Sequence, residues 1–273
     1  DRHLNYNEEE HPVALQLGGG KPDELAKCCQ IVDEYGYDEI NLNVGCPSDR
    51  VQNNMIGACL MGHPELVRDC LSAMQDVTDT PVTIKHRIGI DDFDSYNHMA
   101  DFVSTVNESG CDTFIVHARK AILDGLSPKQ NREVPPLIYD YVYQLKQERP
   151  DLEIIINGGI KNYEEVDQHL QKVDGVMLGR EAYQRPWILA EVDQRYYSQH
   201  CGQAQLATRH DAIRAMLPYI ERQLSQGQKL SYISKHLLGT FHGQPGGKQF
   251  RRYLSENAHK AAAGTDTLEH ALS

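Results

Sequence analysis

Six short apolar, β-branched runs, each followed by a longer amphipathic stretch, constrain this chain more than any other feature. The runs are residues 13–17, 40–44, 82–84, 114–116, 154–156 and 176–178. The stretches between them, 22–35, 64–76, 94–109, 136–148 and 162–171, carry helical periodicity. Short apolar runs without alternation read as strands covered on both faces. With helices between them, they imply a parallel α/β sheet. Pro22 and Pro64 open two of the helical stretches, and Asn162 followed by Glu164 and Glu165 opens a third. Gly36 and Gly110 stand where helices should stop.

The strand ends narrow the architecture. Almost every run leads at once into polar or reactive residues: Gly18-Gly19-Gly20, Gly45-Cys46-Pro47, His86-Arg87, His117-Ala118-Arg119-Lys120, Asn157-Gly158-Gly159 and Gly179-Arg180-Glu181. In a TIM (β/α)8 barrel all strand C-termini converge on one face, which holds the active site. A doubly wound sheet would concentrate such residues at its switch point instead. The barrel is therefore expected, but only six β/α units are present before residue 190. The expectation is that the first two units are absent from this sequence.

Beyond residue 187 no strand-like run appears. Helical periodicity covers 186–199, 208–226, 229–241, 247–262 and 265–272. The expected organisation is an incomplete barrel over 1–190 and an all-helical domain over 191–273.

Net charge follows the same division. The total is −12, which argues against a uniformly basic nucleic-acid coat. Residues 201–273, however, carry nine Lys/Arg against five Asp/Glu, a net +4, so the first 200 residues hold −16. A basic tail on an acidic body suggests a tail that faces something anionic.

No apolar run approaches the roughly 18 residues of a membrane span, and no signal peptide opens the chain. Seven scattered cysteines, with no C-x-x-C pair, point to a reducing cytoplasm and to no metal site.

Three motifs carry chemistry. Asn41-Leu42-Asn43-Val44-Gly45-Cys46-Pro47 straddles a strand end and puts Cys46 on a sharply punctuated loop at the barrel mouth. A thiol there can serve as an acid or a nucleophile, or can be structural. The structural reading is preferred for Cys28, Cys29, Cys59, Cys70, Cys111 and Cys201. Asn157-Gly158-Gly159, with Gly179-Arg180 about twenty residues on, has the form of the phosphate-binding loops after the last two barrel strands. Lys85, His117 and Gln16 end three other strands. A lysine there suits the electron-rich edge of a reduced flavin.

At these residues the chain resembles the flavin-dependent tRNA-dihydrouridine synthases. The resemblance rests on 15–19, 41–48, 84–89, 116–120, 157–160 and 179–183. It is closest to the bacterial A-type branch through 46–52, 125–133 and 251–260. It implies an FMN-binding TIM barrel with a C-terminal helical domain that grips tRNA, NADPH as reductant, and uridine reduction in the D-loop at positions 20 and 20a. By motif, Cys46 would give a proton to C5 of a flipped-out uracil. Gln16, Lys85, His117, Asn157, Gly158, Gly159, Gly179 and Arg180 would bind FMN. Asn43, Lys129, Arg132, Arg251 and Arg252 would contact tRNA. A monomer is expected.

Two other readings are compatible with the residues. One is a flavin barrel acting on a free pyrimidine-like molecule; the other is a non-catalytic RNA-binding remnant. Flavin uptake separates the second from the rest, and RNA binding separates the first.

Overall fold

The computed structural model describes residues 3–48, 55–197 and 208–273. They divide into two compact units, Asp1–Met177 and Leu178–Ser273. The boundary expected at 190 lies thirteen residues beyond that division.

In the first unit six strands form one all-parallel sheet in sequence order: β1 (Ala14–Leu17), β2 (Glu39–Val44), β3 (Val82–Arg87), β4 (Thr113–His117), β5 (Glu153–Asn157) and β6 (Gly175–Met177). Five helices connect them: α1 (Pro22–Asp33), α2 (Pro64–Gln75), α3 (Tyr96–Asn107), α4 (Tyr139–Glu148) and α5 (Tyr163–Leu170). Consecutive parallel strands joined through helices are the repeat of the α/β TIM barrel. Helix entry follows local chemistry. Pro22 and Pro64 occupy first-turn positions, and the Ser95 and Asn162 side chains accept from the backbone N–H groups of His98 and Glu165. Gly36 and Gly110 take left-handed backbones just after α1 and α3.

The strands alternate sharply. Ile40, Leu42, Val44, Ile84, Phe114, Val116, Ile154 and Ile156 are fully buried. Each such side chain contributes roughly 1.5–3 kcal/mol of burial. The residues between them (Glu39, Asn41 and Asn43 on β2; Thr83, Lys85 and Arg87 on β3; His117 and Asn157 farther along) face the opposite side. That second face is polar along β2 and β3 and again at His117 and Asn157, with Ile115 and Ile155 between them, and the apolar reading of the runs does not anticipate its polar part.

The second unit is all helical and has its own core, built on Ile213, Ile220, Phe241, Phe250, Leu254 and Leu268. Its helices are α6 (Arg180–Gln184), α7 (Val192–Tyr196), α8 (Arg209–Ala215), α9 (Leu217–Ser225), α10 (Leu230–Ser234), α11 (Gly247–Asn257) and α12 (Thr265–Leu272). The helix expected over 208–226 is interrupted at Met216, because Pro218 fits only a first turn and starts a new helix. The one expected over 229–241 ends at Ser234 and gives way to turns. Of the expected helix over 186–199, residues 186–191 form a 3-10 turn and 192–196 an α-helix; residues 198 and 199 lie outside the described residues. No helix among the described residues is long and apolar enough to cross a membrane.

Candidate active site

Cys46 stands two residues beyond β2, half-buried, and its backbone is held from both sides. Asn43 Oδ1 accepts the N–H of Gly45 at 3.0 Å and that of Cys46 itself at 3.1 Å. The Cys46 carbonyl in turn accepts from Ala58 N–H at 2.8 Å. Gly57 makes this second contact possible. Its φ is +83°, and a Cβ there would lie 2.4 Å from the Cys46 oxygen. Three of the other cysteines differ. Cys29 and Cys70 are buried, and burial pushes each thiol up to about 11; burial pushes that of Cys111 up to about 12. Cys28 and Cys59 are half-buried, and Cys201, like residues 49–52 of the Cys46 motif, lies outside the described residues.

Strand register sets the neighbours of that loop. Asn43 pairs with Lys85 across β2 and β3, and Gln16 pairs with Asn41 across β1 and β2. Gln16 accepts from Asn43 Nδ2 at 2.7 Å. Lys85 Nζ donates to Asn157 Oδ1 at 3.1 Å, and Asn157 Nδ2 donates to the Met177 carbonyl at 2.8 Å. Burial, with the Arg87 charge nearby, pulls the Lys85 ammonium down to about 8.

His117 pairs in register with Asn157 and lies against the glycine loop that follows β5. Gly158 and Gly159 have φ of +126° and +76°, and a Cβ on Gly158 would meet the His117 ring at 2.8 Å. A Cβ on Gly159 would meet Leu137 at 2.7 Å. The Tyr139 hydroxyl donates to the Gly158 carbonyl at 2.6 Å. Because a peptide's C=O and N–H point in opposite directions, this contact turns the Gly159 N–H away from Tyr139. Bare backbone at a strand end, followed by the N-terminus of α5, suits an anion.

Two residues to which the sequence assigns no role prove central. Arg87, 3% exposed, donates from Nε to the Gly45 carbonyl at 2.9 Å and from Nη1 to the carbonyls of Lys120 at 3.1 Å and Asn131 at 3.0 Å. It ties the Cys46 loop to the loop after β4. Burial drives it down to about 10. Asn131, fully buried, holds the same loop by bonding Ile122 and Leu126. The available signal was the Lys-x-Arg spacing of 85 and 87, which puts both cations on one face of a strand. His86, by contrast, belongs to the opposite face. Its ring packs between Phe102 and Phe114, Nδ1 donates to the Arg87 carbonyl at 2.7 Å, and burial pulls it down to about 4. It is a core residue rather than a decorated strand end.

The structure thus brings together Gln16, Asn43, Cys46, Lys85, His117, Asn157, Gly158 and Gly159. Lys129 and Arg132 are exposed on the loop that Arg87 and Asn131 hold. Gly179 and Arg180 open the second unit, two and three residues past β6. Arg251 and Arg252 are successive residues of α11; Arg252 is exposed and Arg251 Nη1 is buried with no hydrogen-bond partner. Among the described residues no group of three or more His, Cys, Asp or Glu could hold a metal ion.

Known proteins resemble this chain over almost its whole length. The family model described as "Dihydrouridine synthase (Dus)" matches residues 1–273. A tRNA-dihydrouridine(20/20a) synthase of Escherichia coli O6:H1 is 60% identical over 271 residues, 99% of this chain and 81% of that protein. The enzyme of the same name from Salmonella typhimurium is 60% identical, with the same two coverages. That of Vibrio parahaemolyticus is 58% identical over 98% of this chain and 82% of its own length.

Proposed function

The chain belongs to the dihydrouridine synthase family, and on that premise we propose that it reduces uridine to 5,6-dihydrouridine at D-loop positions 20 and 20a of tRNA. The observation that carries the reading is one continuous rim of strand ends. On it, a thiol with a clamped backbone stands next in register to a cationic, glycine-lined cradle.

The residues present fit FMN. The Gly158-Gly159 backbone, closed behind by His117 and Leu137, offers N–H groups to a phosphate. Gln16, Lys85 and Asn157 offer amide and ammonium groups to a flat, carbonyl-rich ring. Gly179 and Arg180 join the phosphate set on the sequence pattern alone. When bound, FMN supplies hydride to C6 of the uracil, at the expense of NADPH.

The chain's own residues do the rest. Cys46 gives its proton to C5, and the Asn43 and Ala58 contacts hold the backbone that carries the thiol. Lys85 holds positive charge beside the cofactor. Lys129 and Arg132 on the rim loop, with Arg251 and Arg252 in the helical unit, meet tRNA phosphates. Asn43 presents its remaining Nδ2–H at the mouth. The target base must leave its stack to reach Cys46. The setting proposed for this chemistry is the cytoplasm, with the enzyme acting as a monomer.

The test is direct. With FMN, NADPH and tRNA from a strain lacking its own synthases, nucleoside mass spectrometry should show uridine gaining two hydrogens. Unchanged tRNA would end the proposal. Reduction of free uridine but not of tRNA would move it to a small-molecule substrate.

A further inference from the structure

One face of β2 carries Glu39, Asn41 and Asn43, and Thr83 of β3 stands in register beside Asn41. Their polar groups form a single chain of hydrogen bonds. The Thr83 hydroxyl donates to the Glu39 carboxylate. Asn41 Nδ2 donates to Thr83 Oγ1 at 2.7 Å, Gln16 Nε2 donates to Asn41 Oδ1 at 2.7 Å, and Asn43 Nδ2 donates to Gln16 Oε1 at 2.7 Å. At the far end Asn43 Oδ1 accepts the N–H groups of Gly45 and Cys46.

The chain has a direction, and both ends impose the same one. A carboxylate can only accept, so Thr83 must donate to it and offer its lone pair to Asn41. Backbone N–H groups can only donate, so Asn43 must turn its oxygen toward Cys46 and its NH2 toward Gln16. Reversing any one amide sets donor against donor and acceptor against acceptor at both of its contacts. Asn41 and Thr83, 3% and 4% exposed, form the middle of the chain, where water cannot repair such a mismatch.

We propose that Glu39, Thr83 and Asn41 are positioning residues for the thiol. They fix the orientation of Gln16 and Asn43 and, through Asn43, the backbone of Cys46. Asn41 and Thr83 are too deeply buried to reach a ligand, so their effect on catalysis is indirect. The proposal rests on the reading of Cys46 as proton donor.

Thr83→Val keeps the side chain's shape but removes both its donor and its acceptor. The readout is the rate of Cys46 alkylation by iodoacetamide in the protein without FMN or tRNA, followed on the Cys46 peptide by mass spectrometry. With one of its two clamps loosened, the half-buried thiol should react about fivefold faster. Turnover of tRNA should fall about tenfold or more, with KM changed by less than about twofold. Thr83→Ser, which restores the hydroxyl, should return both. Glu39→Leu, at the half-buried end of the chain, should reproduce the Thr83→Val signature and serves if that variant does not fold.

Alkylation within about twofold of wild type in Thr83→Val and Glu39→Leu overturns the proposal. A rise that Thr83→Ser shares, or one without loss of turnover, also overturns it. Absence of dihydrouridine with wild-type protein would sink the proposed function instead, and the alkylation comparison would still judge the chain.

Discussion

From β1 to β3 the strand ends are organised by a relay of side-chain hydrogen bonds, whereas the loop after β5 is shaped by glycine backbone. On the first side, Gln16, Asn41, Thr83 and Asn43 pass a fixed hydrogen-bond polarity along to the Cys46 loop. On the second, Gly158 and Gly159 adopt backbones closed to other residues, and the Tyr139 hydroxyl aims their peptide. β3 joins the two, with Lys85 reaching Asn157 on one side and Arg87 reaching Gly45 on the other. The difference matters because the two sides fail in opposite ways. The amide side fails when a polar atom is removed, and the glycine side fails when a methyl is added. Proton delivery and cofactor holding should therefore be separable by mutation.

The largest effect should come from the reactive end of the amide side. Cys46→Ala should lower turnover about 100- to 10,000-fold, the usual range for a lost general acid, while the protein keeps its yellow flavin. Turnover and the flavin spectrum, measured on one sample, check both halves of the statement. Turnover within about tenfold of wild type would remove Cys46 from the acid role.

Gly158→Ala tests the opposite side. The new Cβ would lie 2.8 Å from His117 and 2.9 Å from Leu137, at a φ of +126° that L side chains rarely adopt. FMN affinity, read by fluorescence quenching, should fall about tenfold to a hundredfold, because the strain costs on the order of 1–3 kcal/mol. Cys46 alkylation in the cofactor-free protein should not change. A change in that rate would mean the two sides are one mechanical unit, and the contrast drawn between them would fail.

The two sides were also unequally legible in sequence. Glycine pairs and prolines report backbone needs that no other residue meets, so the cradle at Gly158-Gly159 and the helix entries at Pro22 and Pro64 could be read directly. The Cys46 loop was readable as a motif, but not its support. The resemblance places Asn43 at tRNA but says nothing of its oxygen, which holds Gly45 and Cys46. Glu39, Thr83, Arg87 and Asn131 receive no role from the sequence because their roles depend on partners 5 to 44 residues away in the chain. Period-2 spacing of Glu39, Asn41 and Asn43 does mark a polar strand face, and that signal was hidden inside a run read as apolar. His86 was misread for the converse reason, since its neighbour Arg87 points into the site while His86 points into the core.

The smallest effect, and the one that most sharpens the contrast, is the response to pH. Lys85 is held down to about 8, against an ordinary value of 10.5, by burial first and by Arg87 second. Below pH 8 it is an ammonium that attracts an anionic cofactor; above pH 8 it becomes neutral, and FMN affinity should fall about tenfold. The stability of the cofactor-free fold should move the other way. The folded-state value lies below the unfolded one, so the unfolded chain holds more protons between pH 8 and 10.5. The cost of burying the charge is thus present below pH 8 and relieved as pH rises through that window. Titrations of FMN binding and of thermal unfolding should therefore cross, with binding weakening while the empty fold strengthens. Lys85→Gln, which keeps a donor for Asn157 but does not titrate, should flatten both curves near pH 8. If the binding step survives in that variant, the titrating group is another one, and Lys85 does not supply the charge that holds the cofactor.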